Sequence, residues 1–545
     1  MKLVTVAEMI SIEREANAHG LTYETMMENA GRGLAETILE EYCDLKDGGI
    51  LGIVGSGNNG GDTLVALSYL AEKGWQASAY IIRTRPVVDV LMQRLIRSGG
   101  VIHEIEEDYN HSGLTKIMQD HAILLDGVLG TGIRLPLKPN LAEILDFIRI
   151  EIQNASKPPI VIAVDCPSGI DCDSGETAPE CIPANLTVTM AAIKSGLMKF
   201  PAFNLLGDLR VIGIGLPDEG EGLETWKSVN CSVPDFEWVR QYMPPRPLDA
   251  HKGTFGTLLV VAGSINYTGS ALLAGQAAFR SGAGLVTLAI PAPLHTSLSG
   301  QFPEATWLPL PHEGGVIASE ASAIVKSNLE RATALLVGPG FGLEDTTSEF
   351  LSRLLDANIG LNSKLDAMKS TASASSDYKV KLPPLVIDAD GLKLLAEIPS
   401  WWSYLPEQTV LTPHPGEMSV LTGLSTQDIQ SDRLEIARDF SRKWGHIIVL
   451  KGAFTVISAP DSQAAVIPVA TPALARAGTG DVLAGLIAGL RAQGVDGFHA
   501  AVAGAWIHAQ AGLLAAESIG NSASVLAGDV CDASVDVISA LYKPN

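Results

Sequence analysis

The sequence of 545 residues predicts an α/β protein built from two domains. The chain is too long for one ordinary hydrophobic core, and its length alone suggests two to four domains. Short apolar segments repeatedly end in glycine-rich turns that open onto apolar segments of helical period, which is typical of parallel sheets. Between 216 and 247 this alternation is replaced by Pro-, Gly- and acid-rich sequence, as at a domain boundary. We therefore expect domains at 1–222 and 229–545.

The bulk composition excludes several classes of partner. The formal net charge is −23, whereas duplex nucleic acid favours a basic footprint, so we expect no nucleic-acid partner. No uncharged apolar run is long enough to span a bilayer, and the first residues have early acids and no continuous apolar core. The six cysteines include no CxxC pair, which favours free thiols. We expect a cytoplasmic protein without a membrane partner. Glycine-rich and apolar surfaces leave a homo-oligomer as an open alternative.

The first domain begins with a helical pattern. Residues 5–42 alternate polar and apolar positions with a helical period that is interrupted at His19 and Gly20, which predicts two helices around a turn. Glu28 and Asn29 stand beside two small residues that permit close helix packing.

A strand, a glycine-rich loop and a helix follow between 50 and 70. In this layout backbone NH groups can meet a phosphate-bearing ligand. The loop segment 58–62 reads NNGGD, so two amides and a carboxylate add oxygen ligands for a hydroxylated substrate or a hard cation. A purely structural turn is the alternative.

Two later strands end in polar loops of the same kind. Asp126 ends one predicted strand and is followed by a Gly-Thr-Gly turn, and Asp165 ends the next, with Ser168 shortly after it. Lys194 lies between two further strands. Because open α/β sheets bind ligands at the carboxyl ends of their strands, these loops predict one small-molecule site capable of proton transfer.

The second domain repeats the pattern, with a strand at 257–262, a small-residue helix at about 270–281 and further strand ends carrying GPGFG, DADG, HPGE and LKGAFT. The motif GTGD at 478–481 then opens directly onto an apolar helix. Such a turn directs backbone NH groups and the positive end of a helix dipole towards a phosphate. Alone the motif is a weak signal, because a glycine-rich bend with a capping Asp has the same form.

The chemistry of this half fits a nucleotide site with a carboxylate base. Lys451 and its turn would lie close to an adenine nucleotide, while Asp481 takes a proton from an accepting hydroxyl. Asp388 and Asp390 could orient groups or help to hold magnesium, or could cap the following helix. His414 could touch the substrate, although a lone His in a turn is more often structural. Glu417 is a weaker candidate, and the sequence has no Walker A motif. A Ser-rich stretch at about 355–384 predicts a surface loop inserted within the domain.

The first domain resembles the YjeF amino-terminal family through MENAG, GSGNNGGD, DGVLGTG, VDCPSGID and IKSGL, which occur in the family's order. The resemblance implies a Rossmann-like three-layer domain that interconverts the R and S epimers of hydrated NADH and NADPH, with a bound potassium ion. It implies that Asp165 is catalytic, and that the potassium ligands include Asn59, Asp126 and Ser168. The residues that it implies for substrate binding are Asn58, Asn59, Gly60, Gly61, Asp62, Gly130, Thr131, Gly132, Ile133, Arg134, Leu135, Pro136 and Asp165.

The second domain resembles the YjeF carboxyl-terminal family through HKGTFG, GSAL, GAGLV, GPGFG, DADGL, TPHPGE, KG and AGTGDVLAG. The resemblance implies a ribokinase-like fold and an ADP-dependent dehydratase of the S hydrate, which converts ADP to AMP and phosphate. It implies that Asp481 is catalytic. The residues that it implies for hydrate binding are Ala283, Gly342, His414 and Asp481. Those that it implies for nucleotide binding are Lys451, Gly452, Ala453, Phe454, Thr455 and Gly480.

Both resemblances in one chain predict a bifunctional repair enzyme of nicotinamide nucleotides, whose substrates are hydrated NADH and NADPH with ADP as co-substrate. The alternative is a ribokinase-like small-molecule kinase fused to a non-catalytic binding module, because a fold alone does not define a function. The sequence does not distinguish NADH hydrate from NADPH hydrate, or ADP from ATP.

Overall fold

The structure is a computed structural model that describes residues 1–83, 85, 89–108, 111–217, 220–356 and 381–543. The chain forms two compact units, Met1–Cys231 and Ser232–Asn545. Most of the Ser-rich stretch that the sequence predicts as a surface loop, residues 357–380, lies outside the described residues.

The first unit is built on a seven-stranded sheet in which every pair of neighbouring strands is parallel. The strands of this unit are β1 (Leu3–Val4), β2 (Ile50–Val54), β3 (Ala77–Ile81), β4 (Val101–Glu104), β5 (Ile123–Gly127), β6 (Ile160–Val164), β7 (Leu186–Met190), β8 (Ile193–Lys194) and β9 (Asp208–Ile212). The order in the sheet is β4-β3-β2-β5-β6-β7-β9, while β1 and β8 form a separate parallel pair.

Helices cover both faces of this sheet. They are α1 (Val6–Ala18), α2 (Tyr23–Glu41), α3 (Asn58–Glu72), α4 (Val90–Arg97), α5 (Ser112–Gln119), α6 (Pro139–Asn154) and α7 (Glu224–Ser228). Successive residues of β2 enter different cores, because side chains of a strand alternate between its faces. Ile50 packs in a core with residues of α1, α2 and α3, whereas Leu51 packs in a second core with residues of α5 and α6. The three-layer arrangement expected for this domain is confirmed.

The two helices predicted at the start of the chain are confirmed as α1 and α2. Thr5 caps α1 and forms a reciprocal capping box with Glu8, which satisfies free NH groups of the first turn. A Cβ built on Gly31 of α2 would lie 2.5 Å from Val65 Cβ on α3. The helices therefore approach each other more closely than any larger residue would permit, as the small residues of this segment predict.

The second unit contains a ten-stranded sheet and a small hairpin. Its strands are β10 (Cys231–Ser232), β11 (Thr257–Val261), β12 (Leu285–Pro291), β13 (Thr306–Leu310), β14 (His312–Glu313), β15 (Val316–Ile317), β16 (Ala334–Val337), β17 (Leu385–Ile387), β18 (Val410–Leu411), β19 (Ile447–Leu450), β20 (Val456–Ser458) and β21 (Ala464–Val466). The sheet order is β10-β21-β20-β19-β18-β17-β16-β11-β12-β13. The run from β19 to β13 is parallel, whereas β20 is antiparallel to both of its neighbours.

The helices of this unit are α8 (Phe236–Gln241), α9 (Gly269–Arg280), α10 (Ala292–Leu298), α11 (Ala321–Asn328), α12 (Asp345–Leu354), α13 (Asp390–Ala396), α14 (Pro415–Thr422), α15 (Thr426–Ser431), α16 (Arg433–Trp444), α17 (Thr479–Ala492), α18 (Gly497–Ile519) and α19 (Ala527–Tyr542). One large core joins Leu258 and Val260 of β11 to apolar residues of α9, α17, α18 and α19. The apolar run after GTGD is therefore a buried helix, as its period predicts.

Two short helices, α7 and α8, lie within the segment 216–247, in which the sequence shows no periodicity. Each is too short to establish a period of its own. Over the residues that the structure describes, no helix combines the length and apolar character needed to cross a bilayer.

Candidate functional site

The first site lies where β2, β5 and β6 end. These strands are neighbours in a parallel sheet, so the loops that follow them meet at one edge. A cavity of about 530 Å³ opens there, a volume in the range of small-molecule sites. Eight of the residues predicted to bind substrate line it: Asn58, Asn59, Asp62, Gly130, Thr131, Gly132, Ile133 and Asp165.

The other predicted residues of this loop pair do not line the cavity. A Cβ on Gly60 would lie 2.1 Å from the Gly55 carbonyl oxygen, and one on Gly61 would lie 2.6 Å from the Met27 sulfur. Both glycines therefore serve close packing around the start of α3. Arg134 is not among the lining residues, and Leu135 and Pro136 border a separate surface depression.

Asp165 is held rigidly beside the cavity. It follows β6 with φ of +66°, in the left-handed region that a non-glycine residue rarely adopts. Its carboxylate accepts hydrogen bonds from the Thr189 hydroxyl and the Met190 NH, both at 3.0 Å, and from the Lys194 ammonium. The Lys194 side chain is 1% exposed, so this is a buried ion pair. Asp165 and Lys194, which come from separate segments of the chain, are therefore direct partners.

Asp126, Ser168 and Asn59 also converge. Asp126 accepts hydrogen bonds from the Ser168 hydroxyl at 2.5 Å and the Ser168 NH at 2.7 Å. The Ser168 hydroxyl oxygen accepts from the Leu129 NH, and the Asn59 amide donates to the Leu129 carbonyl oxygen. All three predicted ligands are buried.

This cluster fits a potassium ion chemically. Burial raises the pKa of Asp126, against the hydrogen bonds from Ser168, and the described residues provide no ion pair for this carboxylate. A cation would supply the missing charge. Carboxylate, amide and carbonyl oxygens are the hard ligands that an alkali cation takes.

Glu13 is a lining residue that the sequence reasoning missed. It lies on α1 and lines the same cavity as Asp62 and Asp165. Burial and the charge of Asp165 raise the pKa of Glu13, against Lys194. Burial, with Asp165 and Glu13 adding to it, holds the pKa of Asp62 well above its usual value. The sequence signal that could have identified Glu13 is its position next to Ile12, on the buried side of an amphipathic helix.

The second site lies at the carboxyl edge of β16 to β19. Lys451, just after β19, donates to Asp388 Oδ1 at 2.6 Å and lies 3.6 Å from Glu417 Oε2. Asp388 also accepts from the Thr412 hydroxyl at 2.6 Å. Burial alone would lower the pKa of Lys451, but the charges of Asp388 and Glu417 outweigh burial and raise it. Lys451 is therefore a fixed cation.

The GTGD turn reaches the same cluster. A Cβ on Gly480 would lie 3.5 Å from Lys451 Nζ and 3.9 Å from Asp388 Oδ2. Burial and the charge of Asp388 raise the pKa of Asp481 to about 7, although a Ser270 hydrogen bond and Lys451 oppose this. A carboxyl group with this pKa can accept a proton near neutral pH. Ser270, on α9, belongs to the GSAL motif but was not predicted as a site residue.

The loop 451–455 is a tight turn. Gly452 has φ of +147°, which favours glycine, and Phe454 has φ of +53°. The Thr455 hydroxyl donates to the Gly452 carbonyl oxygen at 2.9 Å. Phe454 is buried, whereas Gly452 and Ala453 are exposed. The turn therefore presents its backbone next to Lys451.

Gly342 and His414 also lie at this edge, with additional local roles. The Gly342 NH donates to Asp390 Oδ2 at 3.1 Å. His414 caps α14, because its Nδ1 accepts from the Gly416 NH at 2.9 Å, and its own NH donates to Glu417. His414 remains exposed. His414 therefore has the structural role expected of a His in a turn. It also lies at the edge of the site, so substrate contact stays a prediction.

Ala283 is the exception among the predicted hydrate contacts. It precedes β12, and β12 is parallel to β11. Ala283 therefore lies at the amino edge of the sheet, opposite the edge that carries Gly342, His414 and Lys451. The motif GAGLV marks the entry into a strand, and entry into a parallel strand occurs at the edge away from the ligand site.

A divalent metal ion at this edge would need ligands beyond the side chains that the structure describes. Over the described residues, no group of three His, Cys, Asp or Glu side chains could hold a metal ion. Asp388 is engaged by Lys451. A magnesium ion here would therefore depend on nucleotide phosphates for ligands, which is its usual mode.

Comparison with known proteins gives matches to both units. The family described as NAD(P)H-hydrate dehydratase matches residues 258–534, and the YjeF-related protein N-terminus matches residues 23–196. The bifunctional NAD(P)H-hydrate repair enzyme Nnr of Moorella thermoacetica is 33% identical over 98% of this chain and 96% of its own length. That of Thermofilum pendens is 32% identical over 95% of this chain and 93% of its own.

A solved structure also matches in part. The crystal structure of the ADP/ATP-dependent NAD(P)H-hydrate dehydratase from Bacillus subtilis, co-crystallised with ATP and Mg²⁺, is 27% identical with a TM-score of 0.45. The match covers 58% of this chain and all of that chain.

Proposed function

The chain belongs to the family of bifunctional NAD(P)H-hydrate repair enzymes, and from this premise we propose which residues perform its two reactions. The first unit is the epimerase domain and the second is the dehydratase domain. The observation that carries the assignment is the presence of a separate charged site at the carboxyl edge of each sheet, in a chain that aligns with a bifunctional relative over 98% of its length.

In the epimerase, we assign proton transfer to Asp165. Water adds to an enamine at the carbon next to nitrogen, so the epimeric centre of the hydrate is a carbinolamine carbon. Its inversion requires opening and closing of the ring, with removal of the hydroxyl proton. Asp165 lines the cavity and is fixed by Lys194, Thr189 and Met190. Potassium, held by Asn59, Asp126 and Ser168, would supply positive charge that attracts the oxygen atoms of a bound substrate.

In the dehydratase, we assign the base to Asp481. It would take the hydroxyl proton as that oxygen attacks the terminal phosphate of ADP, releasing AMP. Loss of phosphate together with a proton from the neighbouring carbon then regenerates the dihydronicotinamide. Lys451, the turn to Thr455 and the NH of Gly480 would hold the phosphates. The use of ADP and magnesium is part of this proposal. The cytoplasmic location and any self-association remain predictions.

The test is recovery of dihydronicotinamide absorbance from a mixture of R and S NADPH hydrates with ADP and magnesium. We expect full recovery with the intact protein, recovery of the S portion alone with Asp165→Asn, and none with Asp481→Asn. No recovery by the intact protein with either ADP or ATP would contradict the proposal. Stable transfer of phosphate to an added alcohol would instead favour a small-molecule kinase.

A further inference from the structure

The epimerase cavity contains more acid than its proposed mechanism uses. Glu13 from α1, Asp62 from α3 and Asp165 after β6 all line it. Asp62 is only 7% exposed, yet within the described residues neither its carboxyl group nor that of Glu13 has a hydrogen-bond or ion-pair partner. Both groups are therefore free to face a ligand.

The cations near the cavity do not balance these acids. Lys194 is committed to Asp165, with further hydrogen bonds to Thr189 and Met190. Arg83 also lines the cavity and contributes a second positive charge, and Tyr23 contributes a phenol hydroxyl. Like charges in one partly desolvated site cannot all ionise easily, so such a cluster retains a proton.

Ring opening of a carbinolamine needs an acid as well as a base. When the hydroxyl proton leaves, the C–N bond breaks and its electron pair goes to the ring nitrogen, which must then be protonated. Asp165 cannot supply that proton while it acts as the base. A second, protonated group is therefore required on the site.

We propose that Glu13 is a proton-carrying residue of the epimerase, sharing with Asp62 the proton that protonates the ring nitrogen. This inference rests on the epimerase activity proposed above. In the opening step, the hydroxyl proton passes to Asp165, the O–H electron pair forms the carbonyl, and the C–N pair accepts the proton from the Glu13–Asp62 pair. Reclosure on the other face of the carbonyl reverses each transfer, so charge and protons balance over the cycle.

The electrostatics agree with this assignment. Burial raises the pKa of both carboxyl groups, Asp165 raises both further, and Lys194 opposes both shifts. Glu13 also adds to the shift of Asp62. Removing the charge of Glu13 should therefore lower the pKa of Asp62 and move the loss of activity at high pH to a lower pH.

The test uses the full-length protein with purified R hydrate and no ADP, so that the dehydratase is silent, and epimers are quantified by chromatography above the uncatalysed background. We expect Glu13→Gln to lower kcat about 100-fold and to shift the alkaline limb of the kcat profile to lower pH. KM should change little. Glu13→Asp should recover at least a tenth of the wild-type kcat. Glu40→Gln, an exposed residue on α2, is the control.

The outcomes separate the two claims. No epimerisation by the wild-type protein would overturn the epimerase proposal and this inference with it. Normal kcat in Glu13→Gln beside an active wild type would overturn the inference alone. Equal losses in Glu13→Gln and Glu13→Asp, with an unmoved pH profile, would make Glu13 a structural residue and also overturn it.

Discussion

Lys451 places its ammonium nitrogen 2.6 Å from Asp388 Oδ1, although the two residues are far apart in the sequence. Glu417 Oε2 lies 3.6 Å from the same ammonium nitrogen, and both carboxylates are almost fully buried. One lysine therefore offsets part of the negative charge of two buried acids at the edge where the nucleotide phosphates would lie.

Lys451→Met should remove this compensation. Because it leaves buried carboxylates without a cation, we expect the free energy of unfolding to fall by about 3–5 kcal/mol. ADP binding should weaken at least ~10-fold, from the loss of a charge-assisted contact. Chemical denaturation and calorimetric titration with ADP measure both effects. Lys252→Met, on an exposed side chain, should change neither, and unchanged ADP affinity in Lys451→Met would contradict the assignment.

Asp481 predicts the pH dependence of the dehydratase. Its pKa is raised to about 7, and a base must be unprotonated, so kcat/KM should fall as the pH drops below about 7. In Ser270→Ala the fall in kcat/KM should begin at a higher pH, because the Ser270 hydrogen bond lowers the pKa of Asp481. Initial rates across pH 5 to 9, at saturating ADP, provide the measurement. A rate that is flat from about pH 5 to 8 would exclude Asp481 as the base.

The same carboxylate should reduce stability. A carboxyl group whose pKa is higher in the folded state favours folding below its unfolded pKa, and that contribution is lost as the pH rises through about 7. Asp481→Asn mimics the protonated form, so it should be inactive yet unfold at a higher temperature than wild type at pH 8. At pH 3 the two proteins should have nearly equal midpoints. A lower midpoint for the variant at pH 8 would contradict the raised pKa.

A methyl group at Gly480 should leave folding unchanged but weaken nucleotide binding. The nearest atom to its Cβ position is 3.5 Å away, an ordinary van der Waals contact, so Gly480→Ala should fold normally and bind ADP at least ~10-fold more weakly. Gly485→Ala is the contrast, because its Cβ would lie 2.2 Å from the Ala274 carbonyl oxygen. That variant should be destabilised by about 1–3 kcal/mol. Normal ADP affinity in Gly480→Ala would remove Gly480 from the nucleotide site.

Lys194→Met should affect the epimerase unit alone. Since Asp165 would remain buried without its cation, we expect the free energy of unfolding of the first unit to fall by about 3–5 kcal/mol. Epimerisation should be lost, whereas dehydration of the S hydrate should be retained. Hydrogen exchange at β6 and β7 would report the stability change. Lys157→Met, at an exposed position, is the control and should leave hydrogen exchange unchanged. Unchanged exchange in Lys194→Met would contradict a structural role for the Lys194–Asp165 pair.

Potassium should stimulate epimerisation specifically. Replacing KCl by LiCl at constant ionic strength should slow the intact protein, because the smaller ion does not suit ligands set for potassium. Asp126→Asn should remove the difference between the salts while dehydration is unchanged. Equal rates in both salts for the intact protein would contradict a potassium site at Asn59, Asp126 and Ser168.

Much of both sites was predictable because parallel sheets impose a simple rule. Polar residues that directly follow an apolar strand segment, such as Asp126, Asp165, Asp388 and Lys451, all lie at the ligand edge of their sheets. The same rule places Ala283 at the opposite edge, since it precedes β12. A glycine in a loop motif has the same sequence signature whether it faces a ligand or packs against the protein. Gly60 packs against the Gly55 carbonyl oxygen and Gly61 against the Met27 side chain.

The sequence by itself determined the α/β class, the strand ends and the loops that carry the chemistry, because apolar period and glycine-rich turns are local properties of the chain. Only the tertiary structure decided which of those loops touch. It paired Lys194 with Asp165 and Lys451 with Asp388, and it brought Glu13 from the first helix to a cavity formed by later strands. Strand order and helix placement set such contacts, and both depend on packing between segments that are distant in sequence.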